Sequence, residues 1–150
     1  MKDAADRNSH YESIKLKHSS NISCNFSNRI HAKRNPCLNI SSSHENKFSG
    51  VIPNSLGDCL TLEKLHMEGN NFVGTIPSSL GHLKTTEIVD LSRNNLSGTI
   101  PASLENLHWT ENLNLSFNML EGEVPTQGVF TNINVFSVLG NEKLCGGIRP

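Results

Sequence analysis

This sequence of 150 residues has few aromatic residues, no long apolar run and no large excess of charge of either sign. No run approaches the ~18 consecutive apolar residues that a membrane-spanning helix needs. A formal net charge of −1 gives no reason to expect a nucleic acid or an acidic membrane surface as a partner. Residues 1–7 have no apolar core behind them, so we expect neither a signal peptide nor a transmembrane segment in this chain.

Catalytic and metal-binding motifs are also missing. The chain has no glycine-rich loop, H-R-D or D-F-G motif of a protein kinase, and no G-x-S-x-G or H-E-x-x-H motif. Its seven histidines have no ligand spacing, and its four cysteines form no C-x-x-C pair. We therefore expect no enzyme activity, no cofactor and no metal site. The four cysteines, Cys24, Cys37, Cys59 and Cys145, could form disulfides only in an oxidising compartment.

Five Asn-x-Ser triplets hint at secretion, because such triplets accept N-linked glycans. A chain rich in Asn and Ser also produces them by chance, so both explanations stay open. The candidate glycosylation sites are Asn21, Asn25, Asn39, Asn95 and Asn114.

An internal repeat organises the chain from residue 46 onward. Asparagine, glycine and proline recur at a constant period and in the same phase, and an Ile or Val precedes every proline. The positions are Asn46, Asn70, Asn94 and Asn118; Gly50, Gly74, Gly98 and Gly122; and Pro53, Pro77, Pro101 and Pro125. Four copies in one phase indicate a repeat architecture in which each unit stacks on its neighbours.

Each copy predicts one short strand and one helical turn. Leu65 and Met67 lie on either side of a single residue, which places both side chains on one face of a strand, and the next copies repeat this spacing. The repeated Asn side chains offer two donors and an acceptor each, so we expect a hydrogen-bonded ladder along the stack. The leucine in the turn after each proline is expected to anchor that turn: Leu56, Leu80 and Leu104.

The pattern L-x-x-L-x-L-x-x-N-x-L-x-G-x-I-P, whose second half is seen in residues 70–77 and 94–101, resembles the plant leucine-rich repeat of receptor-like Ser/Thr kinases. The tail, with G-V-F-T-N at 128–132 and N-E-K-L-C-G-G at 141–147, resembles the end of the ectodomain in the flagellin- and EF-Tu-sensing subgroup. The resemblance implies a leucine-rich-repeat solenoid of the α/β horseshoe type. Parallel strands would line its concave face and short 3-10 turns its convex side.

The same resemblance implies a function in binding. Side chains between the strand leucines would form a concave surface for a peptide or protein ligand and a co-receptor ectodomain, on the extracellular side of the plasma membrane, in defence or developmental signalling. The candidates are Lys64, His66, Glu68, Ile88, Asp90, Ser92, Asn112, Asn114 and Ser116. Two alternatives remain: a soluble inhibitor of a cell-wall-degrading enzyme, similar to polygalacturonase-inhibiting proteins, and a non-functional pseudogene remnant.

Several residues depart from the family pattern. Thr86 and Thr110 stand where leucine is usual, and a buried hydroxyl there must find a partner or cost roughly 1–3 kcal/mol. Ser41 and Ser43 replace apolar strand positions of a degenerate first copy. The resemblance implies that Cys145 belongs to a cysteine pair whose second member this chain lacks.

These observations predict three parts: a polar leader at 1–37, repeats at 38–125 and a truncated C-terminal cap at 126–150. Cys59 occupies the position of Leu83 and Leu107, so we expect a buried small hydrophobe. Trp109 lies just before a strand and is interpreted as packing on the outer surface.

Overall fold

The computed structural model describes the backbone of residues 39–41 and the whole of residues 48–146. The predictions for residues 1–37, including Asn21 and Asn25, lie outside the described residues, as does Ser43. Asn39 and Ser41 lie in a strand whose side chains are not described.

Ten short strands alternate with four 3-10 helices along the described chain. The strands are β1 (Asn39–Ser41), β2 (Ser49–Val51), β3 (Lys64–His66), β4 (Asn71–Gly74), β5 (Ile88–Asp90), β6 (Asn95–Gly98), β7 (Asn112–Asn114), β8 (Met119–Glu123), β9 (Phe136–Ser137) and β10 (Lys143–Cys145). The 3-10 helices are η1 (Asn54–Asp58), η2 (Ser78–His82), η3 (Ala102–Asn106) and η4 (Gly128–Thr131).

The strands form two parallel sheets, which we name sheet A and sheet B. Sheet A has the order β1-β3-β5-β7-β9, and sheet B has the order β10-β8-β6-β4-β2. Each copy of the repeat contributes one strand to each sheet, so equivalent positions face each other: Leu65 is paired with Val89, and Val89 with Leu113. The period predicts such a stack of equivalent units, and the resemblance implies this solenoid form, with a short 3-10 turn after each of Pro53, Pro77 and Pro101.

A single apolar core runs between the two sheets and the 3-10 helices. Leu65, Val89 and Leu113 at the strand centres are at most 1% exposed. Leu56, Leu80 and Leu104 in the helical turns are also buried, which confirms their predicted anchoring role. Stacking therefore buries the apolar side that no single copy can bury alone.

The repeated asparagines form the predicted ladder. Oδ1 of Asn94 accepts a hydrogen bond from the N–H of Phe72 in the preceding copy at 3.1 Å, and its Nδ2 donates to the Met67 carbonyl at 2.9 Å. Asn118 makes the same contacts with Leu96 and Leu91. Each asparagine thus satisfies buried backbone groups of the copy before it, where water has no access.

The ladder continues into the predicted C-terminal cap. Asn141 takes the next place in the ladder, although it comes one position earlier in sequence than the period requires. Its Oδ1 accepts from the N–H of Leu120 at 3.1 Å, and its Nδ2 donates to the Leu115 carbonyl at 3.1 Å. Strand β9 pairs with β7, and β10 pairs with β8. Residues 133–145 therefore form a partial further copy, which the leucine pattern alone does not reveal.

The two threonines at leucine positions are buried and satisfied. Thr86 Oγ1 donates to the Leu62 carbonyl at 2.6 Å, and Thr110 Oγ1 donates to the Thr86 carbonyl at 2.7 Å. The two hydroxyls form a second short ladder parallel to the asparagines. The penalty for an unpaired buried hydroxyl therefore does not arise, and these substitutions are compatible with the repeat.

Candidate protein-binding surface

The candidate binding residues are positioned by the three central strands of sheet A. The middle residue of β3, β5 and β7 points into the core, so its two neighbours face away from it. The register aligns Lys64 with Ile88 and Ile88 with Asn112 in one row. It aligns His66 with Asp90 and Asp90 with Asn114 in the second row. Six of the nine predicted residues therefore share one face of one sheet.

The three remaining candidates differ from the other six. Ser92 and Ser116 are only 5% and 3% exposed, and Glu68 at the equivalent position is partly buried. The prediction that Ser92 and Ser116 lie on the wet face is wrong, because the strands end at Asp90 and Asn114 and side chains no longer alternate beyond them. Ser116 Oγ lies 2.7 Å from Ser137 Oγ, so its hydroxyl is used within the fold.

A side-chain hydrogen bond joins Asp90 and Asn114 on this face. Asp90 accepts hydrogen bonds from the Ser92 N–H at 2.9 Å and from Nδ2 of Asn114 at 3.2 Å. Oδ1 of Asn114 accepts from the N–H of Ser116 at 3.2 Å. In the same row, Nδ1 of His66 lies 3.6 Å from the Glu68 carboxylate, a contact that becomes an ion pair only when the imidazole is protonated. The row is polar, and a hydrogen bond joins two of its three side chains.

The two sequons whose side chains are described, at Asn95 and Asn114, occupy different environments. Asn95 is exposed at the start of β6 in sheet B, away from the sheet A face. Asn114 is partly buried and its Nδ2, the atom that would carry a glycan, donates to Asp90. The acceptor hydroxyl of its sequon, Ser116, is buried. The Asn95 sequon is therefore the more accessible of the two.

Two non-glycine residues next to the ladder have left-handed backbones. Arg93 has φ 55° and Phe117 has φ 57°, and glycines occupy the equivalent positions at Gly69 and Gly140. The Arg93 guanidinium carbon lies 4.9 Å from the centre of the Phe117 ring, a cation–π contact. Neither residue of this pair is among the predicted site residues. The sequence signal that could have identified the pair is position, because each residue lies directly before a ladder asparagine.

A second set of residues outside the predicted site lies just before the strands of sheet A. Glu63, Glu87 and Glu111 recur at the period of the repeat, and all three are exposed. Trp109, which lies shortly before Glu111, is 74% exposed. The interpretation of Trp109 as outer-surface packing is therefore wrong. The period of the glutamates was visible in the sequence, whereas the exposure of Trp109 was not.

The cysteines have different surroundings. Cys59 is partly buried against the core, less deeply than Leu83 and Leu107 at the equivalent positions. Cys145 is exposed in β10. In residues 48–146, no helix is both long and apolar enough to cross a bilayer. The same part of the chain has no group of His, Cys, Asp or Glu side chains arranged to hold a metal ion.

Comparison with known proteins agrees with the fold. The family profile described as Leucine Rich Repeat matches residues 61–83 and 85–107. The leucine-rich-repeat ectodomain of the receptor kinase SOBIR1 from Arabidopsis thaliana superposes with a TM-score of 0.66 at 32% identity, over 75% of this chain and 60% of that one. Among curated proteins, none matches this chain in sequence.

Two further structures are complexes. The ectodomain of the Arabidopsis receptor kinase HAESA, bound to an extended IDA peptide hormone, has a TM-score of 0.64 at 34% identity over 74% of this chain and 18% of its own. A chain of the Arabidopsis thaliana BIR3–SERK2 complex has a TM-score of 0.61 at 35% identity, over 68% of this chain and 54% of its own. This chain spans less than two thirds of the length of each of the three.

The repeats are thus leucine-rich repeats, and the structural neighbours are ectodomains of plant receptor kinases. This fold resembles ligand-binding modules without enzyme activity, and the kinase motifs are absent from the sequence. What the chain does must therefore be sought in the surface that its strands present.

Proposed function

We propose that this chain is part of the extracellular domain of a plant receptor kinase, and that the face of sheet A binds a peptide or protein ligand or a co-receptor ectodomain. The single observation that carries the proposal is the alignment of six surface side chains in two rows across β3, β5 and β7. Catalysis would reside elsewhere, in a kinase domain that these residues do not contain.

The geometry of sheet A favours binding without rearrangement. The central residue of each strand is a leucine or valine buried in the core, and the asparagine ladder binds the backbone that follows the strand. Asp90 and Asn114 are further held by hydrogen bonding to each other. Asp90 and Asn114 therefore lose little side-chain entropy when a ligand binds, which favours affinity at these two positions.

The chemistry of the face favours a partner that offers hydrogen bonds and charge. Lys64 provides a cation, Asp90 an anion, and Asn112 and Asn114 provide amides that both donate and accept. Ile88 is the one apolar side chain in the two rows, and it is partly buried. An extended peptide whose backbone bonds to the amides would suit such a surface, with selectivity set by Lys64 and Asp90.

The kind of partner is proposed from the structural neighbours. HAESA is in complex with a peptide hormone, and BIR3 is in complex with SERK2. We propose by analogy a peptide ligand or a co-receptor ectodomain for this chain, outside the plasma membrane. The tail at 128–132 and 141–147 supports the flagellin- and EF-Tu-sensing subgroup, and hence a role in defence signalling.

Binding to the SERK2 ectodomain tests the proposal. Immobilised chain should bind soluble SERK2 ectodomain, alone or together with a peptide from a library of plant signalling peptides. Changing the charge of the face, with Lys64→Glu and Asn112→Arg combined, should weaken that binding at least tenfold. The matched control is Glu121→Arg, because Glu121 is exposed on sheet B.

The outcome separates the proposal from its rivals. Equal loss of binding in the Glu121→Arg control would place the contact outside sheet A. Absence of any binding, by a chain with an intact cooperative unfolding transition, would contradict the receptor proposal itself.

A further inference from the structure

An open cleft lies at the rim of sheet A, just before its strands begin. It has a volume of about 220 Å³ and is lined by Thr85, Glu87, Trp109 and Glu111. We name it the rim cleft. None of its four residues belongs to the nine candidates on the sheet A face, so it is a separate feature of the surface.

The repeat places the carboxylates of the rim cleft side by side. The N–H of Glu87 donates to the carbonyl of Glu63 at 2.8 Å, and the N–H of Glu111 donates to that of Glu87 at 2.8 Å. Backbones joined in this way lie about 4.8 Å apart, as in any parallel sheet. Glu87 and Glu111 are therefore adjacent, and Glu63 extends the row by one step.

The negative charge of this row is not balanced within the fold. All three glutamates are exposed, and none forms an ion pair with another residue in the part of the chain that the structure describes. Lys64 directly follows Glu63, and Lys84 and His108 lie three residues before Glu87 and Glu111; none of these three basic residues forms an ion pair with the row. Adjacent like charges destabilise a sheet edge unless a partner of opposite charge relieves them.

Trp109 gives the rim cleft an aromatic wall. It is 74% exposed, an unusual degree for the largest apolar side chain, and it is the only tryptophan of the sequence. Its backbone is fixed by the next residue, Thr110, which is buried and donates to the Thr86 carbonyl. Tryptophan in such a position commonly contributes much of the energy of a protein interface.

We propose that the rim cleft binds an arginine side chain of a partner protein or peptide. The planar guanidinium stacks on an indole ring and presents several N–H donors in one plane, so it can reach the Glu87 and Glu111 carboxylates at once. A lysine ammonium lacks the planar shape and would gain less from the indole. The proposal does not depend on the receptor function, since it uses other residues and would hold for any basic partner.

Because the chain has one tryptophan, its fluorescence reports this site alone. The full chain is titrated with the peptide N-acetyl-Gly-Arg-Gly-amide, and with matched peptides that carry Lys or Gln in place of Arg. The arginine peptide should change the emission of Trp109 saturably, the lysine peptide more weakly and the glutamine peptide not at all. Added salt should weaken the arginine response, since the cleft is open to solvent.

Two charge-neutral variants locate the contact. Glu87→Gln combined with Glu111→Gln should raise the half-saturating concentration of the arginine peptide by about fivefold, the size expected for two exposed ion pairs. The matched control is Glu121→Gln with Glu123→Gln, which removes the same charge from exposed positions of sheet B. Equal thermal midpoints of both variants and the parent chain establish that the fold is intact.

Any of three results overturns the proposal: no saturable response to the arginine peptide, an equal response to the glutamine peptide, or equal weakening by both double variants. SERK2 binding measured on the same variants keeps the two proposals apart. Loss of the arginine response with unchanged SERK2 binding supports the rim cleft as an independent site. SERK2 binding that persists with no arginine response leaves the receptor proposal standing and removes the cleft.

Discussion

Asn114 donates a hydrogen bond from its Nδ2 to Oδ2 of Asp90 on the neighbouring strand of sheet A, at 3.2 Å. The two residues occupy the same place in successive copies of the repeat. Asp90 also accepts from the N–H of Ser92. The Asp90 carboxylate therefore contacts both the next strand, through Asn114, and the turn that follows its own strand, through Ser92.

Asp90→Ala should lower the free energy of unfolding by about 1–2 kcal/mol, because the Ser92 N–H and the Asn114 amide lose their acceptor in a partly buried site. Urea unfolding followed by circular dichroism measures the change. Asn112→Ala is the matched control, since Asn112 is exposed on β7. A double-mutant cycle with Asn114→Ala should give a coupling energy; additive effects of the two changes would show that the contact contributes nothing.

Asn94→Ala should be far more damaging than Asn71→Ala. Asn94 is 7% exposed and is the acceptor of the buried N–H of Phe72, whereas the Met67 carbonyl keeps a second donor in Nδ2 of Asn70. Loss of Asn94 should therefore cost about 2–3 kcal/mol. Asn71 is exposed on β4, and its truncation should cost at most about 0.5 kcal/mol. The same urea experiment compares them, and similar losses at the two positions would refute the ladder as a source of stability.

Thr86→Val should destabilise the chain although it preserves side-chain shape. The change leaves the Leu62 carbonyl without the Thr86 hydroxyl, at an expected cost of about 1 kcal/mol. Ser103→Ala, which removes an exposed hydroxyl bonded to the Ser78 carbonyl, should cost less. Greater stability of Thr86→Val than of the parent chain would mean that the apolar gain exceeds the lost hydrogen bond.

Material secreted from plant cells should carry a glycan on Asn95 and none on Asn114. Asn95 is exposed, whereas Nδ2 of Asn114 and the Ser116 hydroxyl are both used within the fold. Intact mass before glycosidase treatment should therefore fall by one glycan in Asn95→Gln and keep that glycan in Asn114→Gln. If the Asn114→Gln protein loses a glycan, Asn114 carries one in the parent chain. A bulky sugar would then stand on the proposed binding face, which contradicts both the expected absence of a glycan on Asn114 and the proposed use of that face.

The sequence predicted the repeating parts of the fold well, because a constant period places equivalent residues on adjacent strands. Strand positions, helical turns and the asparagine ladder all follow from that. Asn141 escaped the pattern because it comes one position too early and its strand has Phe136 where the others have leucine or valine. Ser92 and Ser116 were placed on the wrong face because alternation holds only while a strand continues.

The binding surface was less predictable than the fold. A period gives the neighbours of Asp90 but not which of its atoms accept hydrogen bonds. It likewise leaves open whether Trp109 folds onto the surface or stands out from it. Such choices depend on side-chain rotamers and on local competition for donors. They are set by the three-dimensional packing and not by the period.

The asparagine ladder also gives the solenoid a direction. Each asparagine serves the backbone of the preceding copy, as Asn141 does for Leu120 and Leu115. Removing a copy from the amino-terminal side therefore leaves every remaining ladder N–H with its acceptor. Removing a copy from the carboxyl-terminal side instead takes the acceptor from the ladder N–H of the copy before it. Loss of residues 133–146 would thus leave the N–H of Leu120 without its acceptor, while shortening before residue 70 would leave the ladder N–H groups of the later copies with theirs.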